Sequence, residues 1–189
     1  MDNLFFRLEQ VYRDGFRQSS NTTCGPASVI LATRGLGFKS EKESRWSEEG
    51  LRRWLPITDF LMRGMALHEL QFVSELIYEQ KIDIQLRRAY PENFHLFLND
   101  IEEFFLLKNT VIIVNYLQDD FVFTNLCEHG NPHYSPLISW NSIKNEILIA
   151  DVDPDINEAY WVSVESMFRS MEQCTTLKIP RGWLKLRKR

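Results

Sequence analysis

The sequence predicts an α+β protein in which helices come first and an antiparallel sheet second. Three observations lead to this class. Apolar side chains recur at helical spacing over residues 25–34, 66–77 and 94–105. Residues 111–116 form a short, mostly β-branched run, and two apolar runs within 134–151 flank a polar turn. Helical patterns followed by hairpin-like strands are typical of α+β folds, whereas parallel folds alternate the two.

The first predicted helix lies directly after Cys24. Its apolar run covers residues 25–34, Pro26 suits its first turn, and Gly35 can end it. The polar stretch from Lys39 to Arg53 follows this helix. Its many charged side chains predict a surface loop or an exposed helix.

Three more helices are predicted farther along the chain. Two are amphipathic and run from Ala66 to Ile77 and from Phe94 to Phe105, with Pro91 just ahead of the second. The last one follows the helical spacing of Val164, Met167, Phe168 and Met171.

The strand patterns lie in the second half of the chain. Val111–Tyr116 predicts a buried strand, Phe121–Thr124 a second short strand, and Trp183–Leu186 a closing strand. Tyr134–Trp140 and Glu146–Asp151 flank a polar segment, which predicts a β-hairpin.

Composition limits the class of protein. The chain has 189 residues, of which 44% are hydrophobic, and this suits one domain over residues 1–189 with a substantial core. Its net charge of −4 argues against a general nucleic-acid binder, which needs a basic face. The three widely spaced cysteines favour a reducing compartment. Since no signal peptide or apolar span is visible, we expect a cytoplasmic protein without a membrane partner.

Cys24 is the first candidate for chemistry. It precedes an apolar helical run, so its sulfur is expected at a helix N-terminus, where the macrodipole favours the nucleophilic thiolate. The alternative is a small buried core residue, as most free cysteines are. The polar residues before Cys24 and the Gly25-Pro26 pair after it are unusual for a core position and favour the nucleophile.

His133 and Asp151 are the next candidates. If the hairpin turns around Ser142, His133 faces Asp151, and the same register places Leu137 against Ile147. An acid beside the imidazole would fix its tautomer and stabilise the imidazolium. A cysteine at a helix N-terminus with His and Asp on adjacent strands is the papain-type arrangement. The alternatives are a structural histidine at a strand edge and a turn aspartate.

Gln18 lies upstream of Cys24 in the same polar segment. Papain-type oxyanion holes combine the backbone N–H of the cysteine with an upstream side-chain donor, often a glutamine. Gln18 is therefore a candidate oxyanion donor. As a single residue it could equally be an ordinary polar loop residue.

A competing arrangement is a metal site. Cys127, His129 and His133 have the spacing Cys-x-His-x3-His. Since no fourth ligand is evident and Gly130-Asn131-Pro132 interrupts the spacing, we predict no metal and no cofactor. The basic pair Arg87-Arg88 is interpreted as solvated charge.

Five segments, taken together, resemble the catalytic domain of phytochelatin synthases, a family of papain-like cysteine peptidases. The segments are Gln18 with Cys24-Gly25-x-Ala27-Ser28, His133-Tyr134-Ser135-Pro136, Leu148-Ile149-Ala150-Asp151-Val152, Tyr160-Trp161-Val162 and Arg181-Gly182-Trp183. They follow the order of the family and extend over nearly the whole chain.

The resemblance implies a papain-like domain with a helical half that begins at Cys24 and a twisted antiparallel sheet. It implies that Cys24 attacks the Cys–Gly amide of glutathione or a similar small peptide, forms a γ-Glu-Cys thioester, and passes the acyl group to water or to a second glutathione. In this chemistry His133 would move the proton, Asp151 would orient His133, and Gln18 would help to bind the oxyanion. Arg181 falls where the family has an arginine for the γ-glutamyl carboxylate.

The chain also departs from the family pattern. Pro132 replaces a glycine, and Leu137–Trp140 replaces Ile-Gly-Gly-Tyr, so we expect these residues to alter the substrate pocket.

Two other functions stay open. Cys24-Gly25-Pro26-Ala27 and the Asp153-Pro154 pair are also similar to bacteriocin-leader peptidases, which cleave a peptide after a double glycine. A binding or effector module without activity on the same scaffold is the other alternative. The complete Cys, His, Asp and Gln set argues against it.

Overall fold

Six helices and a six-stranded sheet make up the part of the chain that the structure describes. The structure is a computed structural model and describes residues 4–52, 64–79, 81–121, 131–173, 175 and 178–189. The helices are α1 (Leu4–Arg13), α2 (Cys24–Gly35), α3 (Ser44–Arg52), α4 (Leu67–Ile77), α5 (Phe94–Leu106) and α6 (Val164–Glu172). The strands are β1 (Ile82–Arg88), β2 (Thr110–Leu117), β3 (Pro132–Asn141), β4 (Glu146–Ile149), β5 (Tyr160–Ser163) and β6 (Gly182–Lys188). The predicted α+β class is confirmed.

The sheet is antiparallel throughout and has the strand order β1-β6-β2-β3-β4-β5. The closing strand β6 therefore lies between β1 and β2 rather than at an edge. Trp183 and Leu184 of β6 are fully buried, as is every residue of β2. The nearly continuous apolar run of β2 explains why this strand was predicted, whereas in β6 the apolar Trp183, Leu184 and Leu186 flank the buried Lys185.

Helix α2 is the central helix of the fold. It contacts α1 and β3, and every residue except Arg34 is buried. A helix that is apolar on all sides belongs inside a core. Cys24, at its first position, is thereby held close to the centre of the molecule.

The helical half begins earlier than predicted. Helix α1 precedes Cys24 and buries Leu4, Leu8 and Tyr12, which recur every four residues. Strand β1 was also missed, although Ile82 and Ile84 alternate with polar neighbours as in a half-buried strand. Both patterns were readable in the sequence.

The polar stretch after α2 contains an amphipathic helix, α3. Its Trp46 is buried and donates from Nε1 to Oγ of Ser74 at 3.0 Å. The exposed-helix interpretation is therefore correct, with one aromatic anchor. The strand predicted over Phe121–Thr124 lies outside the described residues except for Phe121. This residue follows a short 3₁₀ turn.

The predicted hairpin exists, but its register was wrong. Leu137 pairs with Ile149 instead of Ile147, and an irregularity follows in β3. The turn covers residues 142–145, where Oδ1 of Asn141 accepts two backbone amides and Asn145 has φ of 53°. An asparagine tolerates this left-handed conformation, so the turn lies farther along the chain than Ser142.

Candidate active site

Cys24 opens helix α2 and is 7% exposed. As the first helical residue, its amide has no carbonyl acceptor within the helix. A Cβ on Gly25 would lie 3.2 Å from Cδ2 of Leu70, so the residue after the cysteine has little room for a side chain. The thiol is thus fixed at a tightly packed helix N-terminus.

His133 lies opposite this helix end, at the second position of β3. The Asn115 side chain donates to its carbonyl at 3.0 Å, and Oγ of Ser28 donates to the carbonyl of Tyr134 at 2.8 Å. These bonds fix β3 against β2 and α2. The His133 imidazole is fully buried and lies close enough to Cys24 for this residue to raise the pKa of the imidazole. The structure thus brings these two predicted residues together.

Asp151 follows β4 and is the third residue of a row formed by Cys24, His133 and Asp151. Its Oδ1 lies 2.8 Å from Nε2 of His133, which leaves Nδ1 of the imidazole for the sulfur of Cys24. The contact arises although the predicted register was wrong. The ladder ends at Ile149, and beyond it the amide of Ala150 donates to the carbonyl of Pro136.

Four donors that the sequence did not reveal surround the Asp151 carboxylate. Its Oδ2 accepts from the hydroxyls of Tyr160 at 2.8 Å and Tyr116 at 3.1 Å, and from Nε2 of Gln118 at 3.1 Å. Its Oδ1 accepts from the amide of Asp153 at 3.0 Å. The available signal was a polar aromatic residue within the buried strand β2 for Tyr116, and a polar residue directly after this strand for Gln118.

These contacts set the charges of the site. Burial alone would lower the pKa of His133, but the Asp151 carboxylate raises it well above 6.5. Burial would raise the pKa of Asp151, but the imidazolium and the surrounding donors hold it well below 3.8. Burial and the Asp151 charge also raise the pKa of Tyr116 and of Tyr160, so both phenols stay protonated as donors. His133 and Asp151 form a buried ion pair at neutral pH.

Gln18 lies in the loop before α2. The backbone N–H of Gln18 donates to the carbonyl of Val152 at 2.8 Å, and this bond connects the loop to the segment after Asp151. The residue is 7% exposed, and its Oε1 is buried without a hydrogen-bond partner among the described residues. The unpartnered Oε1 is an acceptor and cannot bind an oxyanion, so a role in an oxyanion hole would fall to the Nε2 donor of the same side chain.

A cleft of about 550 Å³ opens beside Cys24. Its wall includes Cys24, Arg88, Asn115, Pro132, Tyr134 and Arg181. The Arg181 side chain is 7% exposed and donates from Nη1 to the carbonyl of Gln173 at 2.6 Å. The volume is within the usual range of small-ligand sites.

The interpretation of Arg87-Arg88 as solvated charge was wrong. Nε of Arg87 lies 2.8 Å from Oδ2 of the buried Asp100. Arg88 is partly buried and faces the cleft. Successive residues of a strand point to opposite faces, so the two neighbours reach different surroundings.

The residues expected to alter the substrate pocket lie in two different places. Pro132 lines the cleft, whereas Leu137–Trp140 does not. Leu137 is fully buried, and Ile138 lines a different cavity next to Trp161. The expectation was wrong for this segment because it lies in the hairpin, beyond the reach of the cleft.

The competing metal arrangement falls largely outside the described residues, since Cys127 and His129 lie there, as does Cys174. Within the described ranges, no three His, Cys, Asp or Glu side chains cluster closely enough to hold a metal ion. His133 itself has Cys24 and Asp151 at its ring, which leaves neither nitrogen for a metal. Among the same residues, no helix combines the length and apolar character needed to cross a membrane.

Comparison with known proteins identifies a family for this chain. The family model described as phytochelatin synthase matches residues 1–183. No curated protein matches the chain. The matched range includes every candidate described above, from Gln18 to Arg181.

Proposed function

Since the chain belongs to the phytochelatin synthase family, we propose that it is a cysteine-dependent peptidase or acyltransferase for glutathione or a similar γ-glutamyl peptide. The observation that carries this proposal is the row formed by Cys24, His133 and Asp151, in which the thiol meets an imidazole paired with a buried carboxylate. The buried apolar residues of helices and sheet form one core, which supports a single catalytic domain over residues 1–189.

In the first half of the reaction the Cys24 thiolate attacks the carbonyl carbon of the Cys–Gly amide. The oxyanion that forms accepts hydrogen bonds from the Cys24 amide and from Gln18, at the open end of helix α2. His133, as imidazolium, then gives its proton to the leaving glycine amine. The products are free glycine, a γ-Glu-Cys thioester on Cys24 and a neutral imidazole.

In the second half the neutral His133 takes a proton from water or from the amine of a second glutathione. The resulting nucleophile attacks the thioester, and the thiolate of Cys24 leaves. The Asp151 carboxylate holds the imidazole in one orientation and stabilises its charged form in both halves.

Arg181 is the proposed ligand of the donor carboxylate. A guanidinium can bind a carboxylate through two parallel hydrogen bonds, which suits the free α-carboxylate of a γ-linked glutamate. Arg181→Met should therefore weaken donor capture by about 2–4 kcal/mol, mainly through KM. Arg181→Lys should restore little of it, because a point charge lacks the planar fork.

The proposal is tested by incubating the protein with glutathione and measuring free glycine and the mass of the Cys24 adduct. We expect a γ-Glu-Cys adduct on the wild type, none on Cys24→Ala, and near-normal turnover with the control variants Cys127→Ala and Cys174→Ala. Iodoacetamide should label Cys24 fastest near neutral pH, and faster labelling of Cys127 would contradict the assignment.

A matched substrate separates this function from general peptidase activity. The α-linked tripeptide Glu-Cys-Gly keeps a terminal carboxylate at the same distance from the amide but moves the glutamate amine from the carbon beside that carboxylate to the carbon beside the amide, so a site built for a γ-linked amino acid should not react with it. Equal turnover of the α- and γ-linked peptides would reject a γ-glutamyl site. It would instead favour a general peptidase of the leader-peptidase kind.

A further inference from the structure

Arg88 and Arg181 lie side by side where strands β1 and β6 meet at the cleft. Arg88 pairs with Gly182, and the amide of Ala89 donates to the carbonyl of Arg181 at 3.0 Å. A Cβ on Gly182 would lie only 2.0 Å from the carbonyl oxygen of Arg87. Gly182 thus permits the close approach of the strands that places two arginines at one wall.

The Arg88 guanidinium carries a charge that the described residues do not balance. Its Nη1 donates to the carbonyl of Pro180 at 3.1 Å, and no carboxylate of the described ranges lies within ion-pair distance. Partial burial lowers its pKa, as expected for a cation without an anionic partner. By contrast, Arg87, its neighbour on the other face, is paired with Asp100.

Both arginines also act on the same neighbour of the nucleophile. The Tyr134 side chain is buried, lines the cleft and donates to the carbonyl of Met65 at 3.0 Å. Burial and the charge of Cys24 raise its pKa, whereas Arg88 and Arg181 act in the opposite direction. The Glu69 carboxylate raises this pKa as well, so the two cations, this carboxylate and the sulfur all lie within electrostatic range of one aromatic ring.

We infer that Arg88 is a second carboxylate-binding residue of this wall and that it acts with Arg181 on the donor peptide. The inference rests on the proposed function and deepens it. The substrate class is an acyl donor whose first residue is joined through its side-chain carboxyl and so keeps a free α-carboxylate. A carboxylate that receives charge-assisted hydrogen bonds from two guanidinium groups is bound in a more defined orientation than one arginine alone would give.

The test compares two donors on wild type, Arg88→Gln, Arg88→Lys and Arg187→Gln. The donors are glutathione and 4-aminobutyryl-Cys-Gly, which lacks the α-carboxylate. Arg187 is exposed on β6, so its replacement by Gln removes the same charge from the same sheet away from the cleft. The measurements are kcat/KM for glycine release and the thermal unfolding midpoint of each variant.

We expect wild type and Arg187→Gln to prefer glutathione strongly, and Arg88→Gln to lose about 30-fold or more in kcat/KM, mostly through KM, on glutathione alone. Arg88→Lys should restore little of the preference, because a point charge lacks the planar fork, and an unchanged thermal unfolding midpoint of Arg88→Gln should show that loss of folding is not the cause. An Arg88→Gln enzyme with the full preference for glutathione would overturn the inference.

A second readout separates failure of the inference from failure of the proposed function. If wild-type Cys24 forms no adduct with either peptide, the proposed function fails. The ratio of Cys24 alkylation rates by iodoacetate and by iodoacetamide still tests Arg88, because only iodoacetate carries a carboxylate. This ratio should fall in Arg88→Gln and not in Arg187→Gln, and an equal ratio in both would reject an anion-binding role.

Discussion

The surroundings of Asp151 and the wall of the cleft both carry charged side chains, yet the charges of the two regions are balanced in different ways. Asp151 is fully buried and has His133 together with donors from Tyr116, Tyr160 and Gln118. The charge and hydrogen bonds of this carboxylate are satisfied by the protein itself. Such a group is rigid before any substrate arrives.

The wall of the cleft is balanced only in part. Arg88 donates to a backbone carbonyl and faces open space, and the described residues supply it with no carboxylate. A partial charge on a carbonyl offsets a guanidinium much less than an anion does. Under the proposed function, the first region would position the reacting groups and the second would select the ligand. Substitutions in the first should change kcat, and those in the second should change KM.

The largest effect is expected for His133→Ala. It should lower kcat about 10⁴-fold, nearly as much as Cys24→Ala, because the two residues act as one unit. The double variant should be no worse than either single one, as single-turnover acylation by glutathione can measure. Additive losses of kcat would contradict a joint role of Cys24 and His133.

Gln18→Ala should have the next largest effect. Loss of one oxyanion donor costs about 3 kcal/mol of barrier, or about 10²-fold in kcat, with KM nearly unchanged. Gln18→Glu is the matched control, since it keeps the size of the side chain but repels an oxyanion. If Gln18→Ala is as active as wild type, Gln18 has no part in the site.

Asp151→Asn should lower activity less, by about tenfold at neutral pH, because an amide can still orient the imidazole, as in Cys-His-Asn triads. Without the carboxylate the pKa of His133 should fall toward 6.5. The alkaline limb of log kcat/KM against pH should then move to lower pH. An unmoved limb would show that Asp151 does not set the charge of His133.

The ion pair should also give stability within a defined pH window. The raised pKa of His133 gives a contribution that is complete below pH 6.5 and is lost as the pH rises through that raised value. The lowered pKa of Asp151 gives one that is complete above about pH 4 and is lost at more acid pH. Urea unfolding should find the largest difference between wild type and Asp151→Asn from about pH 4 to 6.5. A difference that grows toward pH 9 would contradict this sign.

The smallest effect on activity is expected for Tyr160→Phe. It removes one donor to a buried carboxylate and should lower the free energy of unfolding by about 1.5–3 kcal/mol, while kcat changes only a few fold. Tyr90→Phe, at an exposed tyrosine, is the control and should leave both quantities unchanged. A loss of activity as large as in Asp151→Asn would make Tyr160 a principal positioning residue.

The sequence predicted the strongly periodic elements and missed those with a mixed pattern. The apolar runs that became α2 and β2 were recognised because burial on all sides leaves nearly continuous apolar residues, and β6 was recognised from its apolar residues although Lys185 interrupts them. The alternating pattern of β1 was overlooked, and with it the position of Arg88. The hairpin register was wrong because a side-chain-capped turn and an irregularity in β3 shift the pairing, and neither can be derived from alternation.

The sequence by itself determined the class of fold, the family resemblance and the candidates Cys24, His133 and Asp151, because helix starts, strand periods and local motifs are short-range properties. Tertiary structure alone decided how those residues meet, which donors surround Asp151, and that Arg87 turns to Asp100 while Arg88 turns to the cleft. These features depend on contacts between strands far apart in the chain. The physical reason is that the partner of a buried charge is fixed by register and packing, which residue order along the chain does not specify.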